Sequence, residues 1–257
     1  MKGNSWFGLF AMLAIALAFA QYVSAVNLPA SPNVLIPLDS HTFNASNYPV
    51  KTLQAEAGNI TEVSINARTQ TRSWQGYFGN ISGTITLEDA LGFVFYDWAD
   101  AEPKGQVYAT INDSPDWTGI HCFNYTAVNA EINLTEQESY FGIPDLAVDG
   151  INETFNETTH DLFYVGPRTI DANTCHSTYI YQNGTRQISN FQNVLLTDNT
   201  SMIFTTLVEN RGVNDDVDKL GYNPGYTPDF QMLVAEDGHT NDSGAITTTY
   251  YFFVELT

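Results

Sequence analysis

Apolar residues beyond position 26 come in short bursts, each soon interrupted by Gly, Pro, Asn or Asp. A globular helix needs ten or more residues with an apolar stripe, whereas a strand needs only four to eight. The bursts fit the strand. Candidate strands are Asn33–Leu38, Thr61–Ala67, Trp74–Phe78, Gly83–Leu87, Phe93–Trp98, Gln106–Ile111, Ile120–Tyr125, Leu162–Val165, Thr178–Gln182, Thr185–Ser189, Val194–Thr197, Met202–Val208, Phe230–Ala235 and Thr247–Glu255. Alternation shows in Thr84-Ile85-Thr86-Leu87 and in Glu62-Val63-Ser64-Ile65. Short strands at this spacing predict an all-β chain, an antiparallel β-sandwich with jelly-roll or Ig-like layering.

One short helix is expected. Thr135-Glu136-Gln137-Glu138 fits a capping box, Leu134 and Tyr140-Phe141 supply apolar contacts, and Gly142 then Pro144 end it. The polar stretch Asp145–Asp161 could link a second lobe beginning near 162, although a bridge between Cys122 and Cys175 would span it and favour one unit over 26–257. The loop Asn210–Pro228 is long and rich in Gly, Asn, Asp and Pro, as functional excursions and flaps are.

The first 25 residues read differently from the rest. Lys2, an apolar run from Trp6 to Ala20 and the small residues before position 26 have the layout of a secretory signal peptide cleaved after Ala25. Two alternatives stand beside it: a pilin-type stem processed near Lys2-Gly3, and a retained membrane anchor, since Trp6–Val26 is about long enough to cross a bilayer. Cleavage would leave the remaining chain outside the cell with no membrane segment.

Asn-x-Ser/Thr occurs at Asn44, Asn59, Asn80, Asn112, Asn124, Asn133, Asn152, Asn156, Asn183, Asn199 and Asn241. With 23 Asn, chance supplies about four such motifs, so the eleven found point to a coat of covalent N-glycans. Glycans occupy surface turns, and Asn183-Gly184 is the preferred two-residue hairpin turn. Only Cys122 and Cys175 are present. In an exported chain such a pair forms a disulfide, closing a loop of about fifty residues and removing roughly 4 kcal/mol of chain entropy from the unfolded state. His121 and His176 adjoin the cysteines, but no close ligand pair of the C-x-x-C or H-x-x-x-H kind supports a metal site.

The formal charge is −20, from 29 acids against 9 bases, which disfavours nucleic acid and anionic lipid as partners. Asn214-Asp215-Asp216-Val217-Asp218 opens like a calcium loop but lacks the Gly at its sixth position and the closing Glu, so a solvated acidic turn is the reading. No nucleophile elbow, zinc motif, phosphate loop or dinucleotide fingerprint occurs, and the chain is not expected to be an enzyme, to bind a metal or to hold a cofactor. Trp74, Tyr77, Phe78, Trp98 and Trp117 could stack on sugars, but a core of this size needs such rings.

A surface role follows. Residues 26–40 form an extended, Pro-bounded arm with an apolar centre at Val34, Leu35, Ile36 and Leu38, suited to adding a strand to a neighbour's sheet; pairing within its own domain is the competing reading. Thr248–Glu255 is too apolar on both faces for a bare edge, so it is expected to be central or paired with another chain. The expected partners are other copies of the chain, polymerising by strand donation into an extracellular filament, pilus-like, or an envelope layer. The alternative is a carbohydrate-binding or adhesion module. Finally, Ala55–Asn66 and Ser73–Leu87 resemble segments of uncharacterised secreted archaeal surface proteins. That resemblance implies a cell-surface location and carries no activity with it.

Overall fold

The structure is a computed structural model that describes residues 27–42, 49–100, 104–126, 132–209, 218–236 and 247–256. The expected leader, Asn44, Asn241 and the start of the acidic loop at 214–217 lie outside the described residues. Fourteen strands are described: β1 Trp74–Gly79, β2 Gly83–Glu88, β3 Val94–Asp100, β4 Gly105–Thr110, β5 His121–Cys122, β6 Phe163–Val165, β7 Arg168–Ile170, β8 Ser177–Thr178, β9 Ile180–Gln182, β10 Thr185–Gln187, β11 Gln192–Thr197, β12 Met202–Leu207, β13 Phe230–Ala235 and β14 Tyr251–Leu256. Two short helices join them, α1 Leu134–Tyr140 and α2 Ile151–Thr154. Antiparallel sheet dominates, but one helix more than expected is present.

The organising element is a six-stranded sheet in the order β14-β4-β12-β11-β5, with β8 also paired to β11. In β4, β11 and β12 every residue is buried. Successive side chains of a strand point to opposite faces, so burial at every position means that both faces are covered. Val107, Ala109, Leu195, Met202 and Phe204 face one apolar cluster, while Tyr108, Val194, Leu196, Ile203 and Leu207 face another. That is why Val194-Leu195-Leu196 reads as a continuous apolar run rather than as an alternation.

The β1–β13 pair and the two helices cover the first face, with Phe141, Ile151, Phe155, Met232 and Val234 in the cluster. Trp74 packs on Phe155 and Phe204 with ring centroids 5.7 and 6.2 Å apart, and its indole N–H donates to the Asp149 carbonyl at 2.7 Å. Asn193, buried on β11, fastens this layer to the sheet. Its amide donates to the Gln231 carbonyl at 2.8 Å and its Oδ1 accepts from the Leu233 N–H at 2.9 Å, satisfying the backbone of β13 as a neighbouring strand would. On the opposite face, Phe163, Val165 and Ile170 of β6 and β7 join Trp117, Ile120 and Cys175.

Two expectations need correction. The capping box begins at Asn133, not Thr135: Asn133 Oδ1 accepts from the Glu136 N–H, and the Glu136 carboxylate accepts from the Asn133 N–H. Asn at the cap and Glu three residues on satisfy two orphan donors, which Thr135 and Glu138 do not. The stretch 145–161 is no polar linker, because α2 and the residue after it put Ile151 and Phe155 into the core beside residues from both before and after position 162. At Asn183-Gly184 the expected two-residue turn is present; both residues have positive φ, 47° and 73°, and Gln182 pairs with Thr185.

Glu255 is the one acid set among the central strands from β14. It is buried, accepts the Tyr108 hydroxyl at 3.1 Å and receives the Gly166 N–H at 3.0 Å. Burial pushes its carboxyl above the ordinary 4.5, and the bonds from Gly166 and Tyr108 only partly oppose that. A carboxyl raised in the folded state contributes stability that is full below the unfolded value and is lost as pH rises through the folded one. Glu255→Gln, which keeps the shape and removes the charge, should therefore raise the melting temperature at pH 7 and leave it unchanged near pH 3. Parallel thermal melts at the two pH values check this.

Candidate assembly and glycosylation surface

The arm meets the sheet at one point. Ala30 exchanges both backbone bonds with Val254, at 3.0 and 2.8 Å, on the outer side of β14. Continuing that antiparallel register would bring Pro32 opposite Phe252, and Pro has no N–H to donate, so the ladder stops. The expected strand Asn33–Leu38 is thus not formed. Val34, Leu35, Ile36 and Leu38 are 69, 62, 66 and 94% exposed, bare on both faces. β14 itself is an edge strand, and among the described residues Ala30 alone pairs with its outer side. Phe252 and Val254 pack into one cluster and Phe253 into the other, so an apolar strand with two buried faces is left with an open hydrogen-bonding edge.

Two further segments are bare. Thr61–Ala67 forms no strand, and its alternating pattern has no sheet under it: Ile60, Val63 and Ile65 are exposed. The β2–β3 hairpin forms with register Ile85↔Trp98 and Leu87↔Tyr96, yet among the described side chains none from residues 83–98 enters either buried cluster.

Nine of the eleven sequon asparagines lie among the described residues, and none of the nine is buried. Asn59, Asn80, Asn124, Asn156 and Asn183 are exposed, while Asn112, Asn133, Asn152 and Asn199 are half-buried. Most lie in turns or connections, while Asn133 caps α1 and Asn152 lies in α2. Asn199, with φ 72°, sits in the β11–β12 turn, and Asn124 Oδ1 accepts from both the N–H and the hydroxyl of its own Thr126. Asn133 caps α1 through Oδ1, the atom that a sugar on Nδ2 leaves in place. Asn112 is the crowded case, its Nδ2 bonded to Asp198 at 3.3 Å.

Cys122 and Cys175 are joined in a disulfide across 53 residues. The neighbouring histidines point elsewhere: His121 Nδ1 bonds the Gly119 carbonyl at 2.9 Å, and His176 stacks on Tyr125 at 3.8 Å. Among the described residues no group of three or more His, Cys, Asp or Glu is placed to hold a metal ion. A histidine that sequence reasoning passed over positions the bridge. His160 is buried, donates from Nδ1 to the Asp161 carbonyl at 2.8 Å, and accepts at Nε2 from the N–H groups of Thr174 and Cys175 at 3.1 and 2.9 Å. A lone His in a polar stretch has no spacing partner to betray it.

Of the rings considered for sugar stacking, Trp117 is buried between Tyr108 and Phe253, and Trp74 and Tyr77 are partly buried against the first cluster. Phe78 packs edge-on to Tyr222 and Tyr226 of the 218–228 loop. Trp98 is the exception, exposed beside Tyr96. A shallow concavity along α1, lined by Asn133, Thr135, Glu136, Ser139 and Tyr140, opens widely to solvent. No protein-family model, curated protein or solved structure matches the chain.

Burial holds the His160 ring below its ordinary 6.5, so the neutral acceptor form is the folded one. A histidine lowered in this way contributes stability above 6.5 that is lost as pH falls through the folded value. His160→Ala leaves two backbone N–H groups without their acceptor and should cost about 2–4 kcal/mol, a loss read from urea unfolding at pH 7 that shrinks toward pH 4.

Proposed function

We propose that this chain is an exported, N-glycosylated structural protein of the cell surface whose copies polymerise by strand donation into a filament or envelope layer. The observation that carries the reading is the bare apolar arm beside the open edge of β14. An arm with Val34, Leu35, Ile36 and Leu38 in water is unfavourable by roughly 25 cal/mol for each Å² of apolar surface left uncovered. A sheet edge of the same chain offers the backbone partners that such a segment lacks. Docking the arm of one copy on the β14 edge of the next removes both liabilities together, and a head-to-tail contact of that kind propagates.

The surrounding features agree with this reading. Among the described residues no sequon asparagine lies within a strand, which leaves the strand edges unencumbered. The acidic balance keeps subunits apart until a specific contact forms. In the assembled form the layers on the central sheet close as a β-sandwich, with the donated strand completing an edge. The partners are other copies of the chain and covalent sugars, the location is extracellular, and the reading invokes neither catalysis nor a cofactor. The resemblance of Ala55–Asn66 and Ser73–Leu87 to secreted archaeal surface proteins adds to it.

A second reading, a carbohydrate-binding or adhesion module, is favoured by one observation, the exposed pair Tyr96 and Trp98 with centroids 4.7 Å apart. Their planes are inclined by 60°, so they do not form a single flat platform for a sugar ring.

Negative-stain microscopy and intact mass of native material test the leading reading. Filaments are expected, with a subunit mass above that of the polypeptide left after leader cleavage, which is less than the 28.5 kDa of the full sequence, by the added sugar. Leu35→Asp with Ile36→Asp should abolish the filaments while leaving the circular dichroism of the folded domain unchanged. Native protein that stays monomeric at every concentration would end the idea.

A further inference from the structure

The β2–β3 hairpin is an unfinished piece of sheet. Ile85 opposes Trp98 and Leu87 opposes Tyr96, so these four share one face, while Thr84, Thr86 and Asp97 lie on the other. Two strands with one apolar face are at best marginal in water; a third strand or a packed layer is what makes such a ribbon stable. Here the apolar face is uncovered, and Leu91, Phe93 and Phe95 stand exposed around the tip and bulge. Side chains exposed to this degree show roughly 100 Å² each, so the four on this face offer about 400 Å² of apolar surface. A standard interface takes about 800 Å² from each partner, a little over half of it apolar, so this face comes close to the apolar share of one. No sequon falls between Asn80 and Asn112, so no sugar acceptor lies on the hairpin.

We infer that this face is an intersubunit surface, covered in the assembled protein by the Thr61–Ala67 segment of a second copy of the chain. The inference rests on the assembly reading above but uses a different pair of surfaces from the arm and β14. Three observations select the occupant. Thr61–Ala67 has the alternation of a half-buried strand, with Val63, Ile65 and Ala67 on one side, and nothing under it. The charges complement each other: residues 49–72 carry Lys51, Arg68 and Arg72 against Glu56 and Glu62, while residues 83–100 carry four acids and no base. In a chain of net charge −20, a stretch of net charge +1 meets this acidic hairpin without the repulsion between two acidic surfaces.

Within one chain the segment does not cover its own hairpin. Thr71 donates to Asp149 at 2.6 Å just before β1, and β1 then runs to Gly79 before the hairpin rises at Gly83. Gly83 lies against the end of β14, where an added Cβ would collide with Leu256, whereas Tyr77 lies beside Phe252. In the folded chain the two surfaces leave each other bare: Val63 and Ile65 stand exposed, and so do Leu87, Tyr96 and Trp98.

Cross-linking of full-length protein tests this, because among the described residues there is no free cysteine. Ile65→Cys protein mixed with Leu87→Cys protein under mild oxidation should give a disulfide-linked dimer on a non-reducing gel, and neither variant alone should. A dimer formed equally by Leu87→Cys alone would mean that hairpins pair face to face, and overturns the inference. So does a doubly substituted chain, carrying both changes, that closes on itself without dimerising. Filaments that form normally but yield no cross-link refute this surface and leave the assembly reading standing; a protein that neither assembles nor cross-links refutes both.

Discussion

Everything in this fold hangs on the burial of three adjacent strands, β4, β12 and β11, on both of their faces. A strand with one wet face needs one covering layer, and these need two. The β1–β13 pair with α1 and α2 supplies one layer, and β6, β7 and the Trp117 and Cys175 loops supply the other. Because Val107 and Tyr108 are neighbours in sequence but belong to different clusters, neither layer can shift without disturbing the strand beneath both. Two polar groups that enter this centre are satisfied locally, Asn193 by β13 and Glu255 by Tyr108 and Gly166.

The same arrangement explains where the molecule is incomplete. The interior of the sheet is saturated, so the unmet bonding capacity gathers at its margin on β14 and on the elements that follow no core strand. The arm, the Thr61–Ala67 segment and the β2–β3 hairpin each carry apolar residues that stand exposed. Each of the three adds apolar area in contact with water.

The legible part of the fold was the part whose pattern does not depend on context. Trp74–Phe78, Gly83–Leu87 and Phe230–Ala235 read as strands from their letters and are strands, and Asn183-Gly184 marked its turn because few residues other than Asn and Gly tolerate positive φ twice in succession. Asn33–Leu38 and Thr61–Ala67 have equally good letters, but no partner strand lies beside them, and a strand is a property of two segments. Errors of the opposite kind came from brevity. β7, β8 and α2 span two to four residues each, too few for any period to show, and α2 entered the core through Ile151 in a stretch whose average is polar. The candidate surface was legible as composition, in the sequons and the arm; its open edge was not, because strand order depends on pairings that leave no local mark.

Strand order also bears on time. β4 lies between β14 and β12, and Tyr108 reaches Glu255 across 147 residues. A sheet whose middle waits for segments so distant closes late, since loop closure must precede the contacts that reward it. A chain emerging through a membrane from its N-terminal end would hold its turns open and reachable until β14 arrived, and that delay is the interval in which an enzyme could modify side chains that the finished fold crowds, such as Asn112.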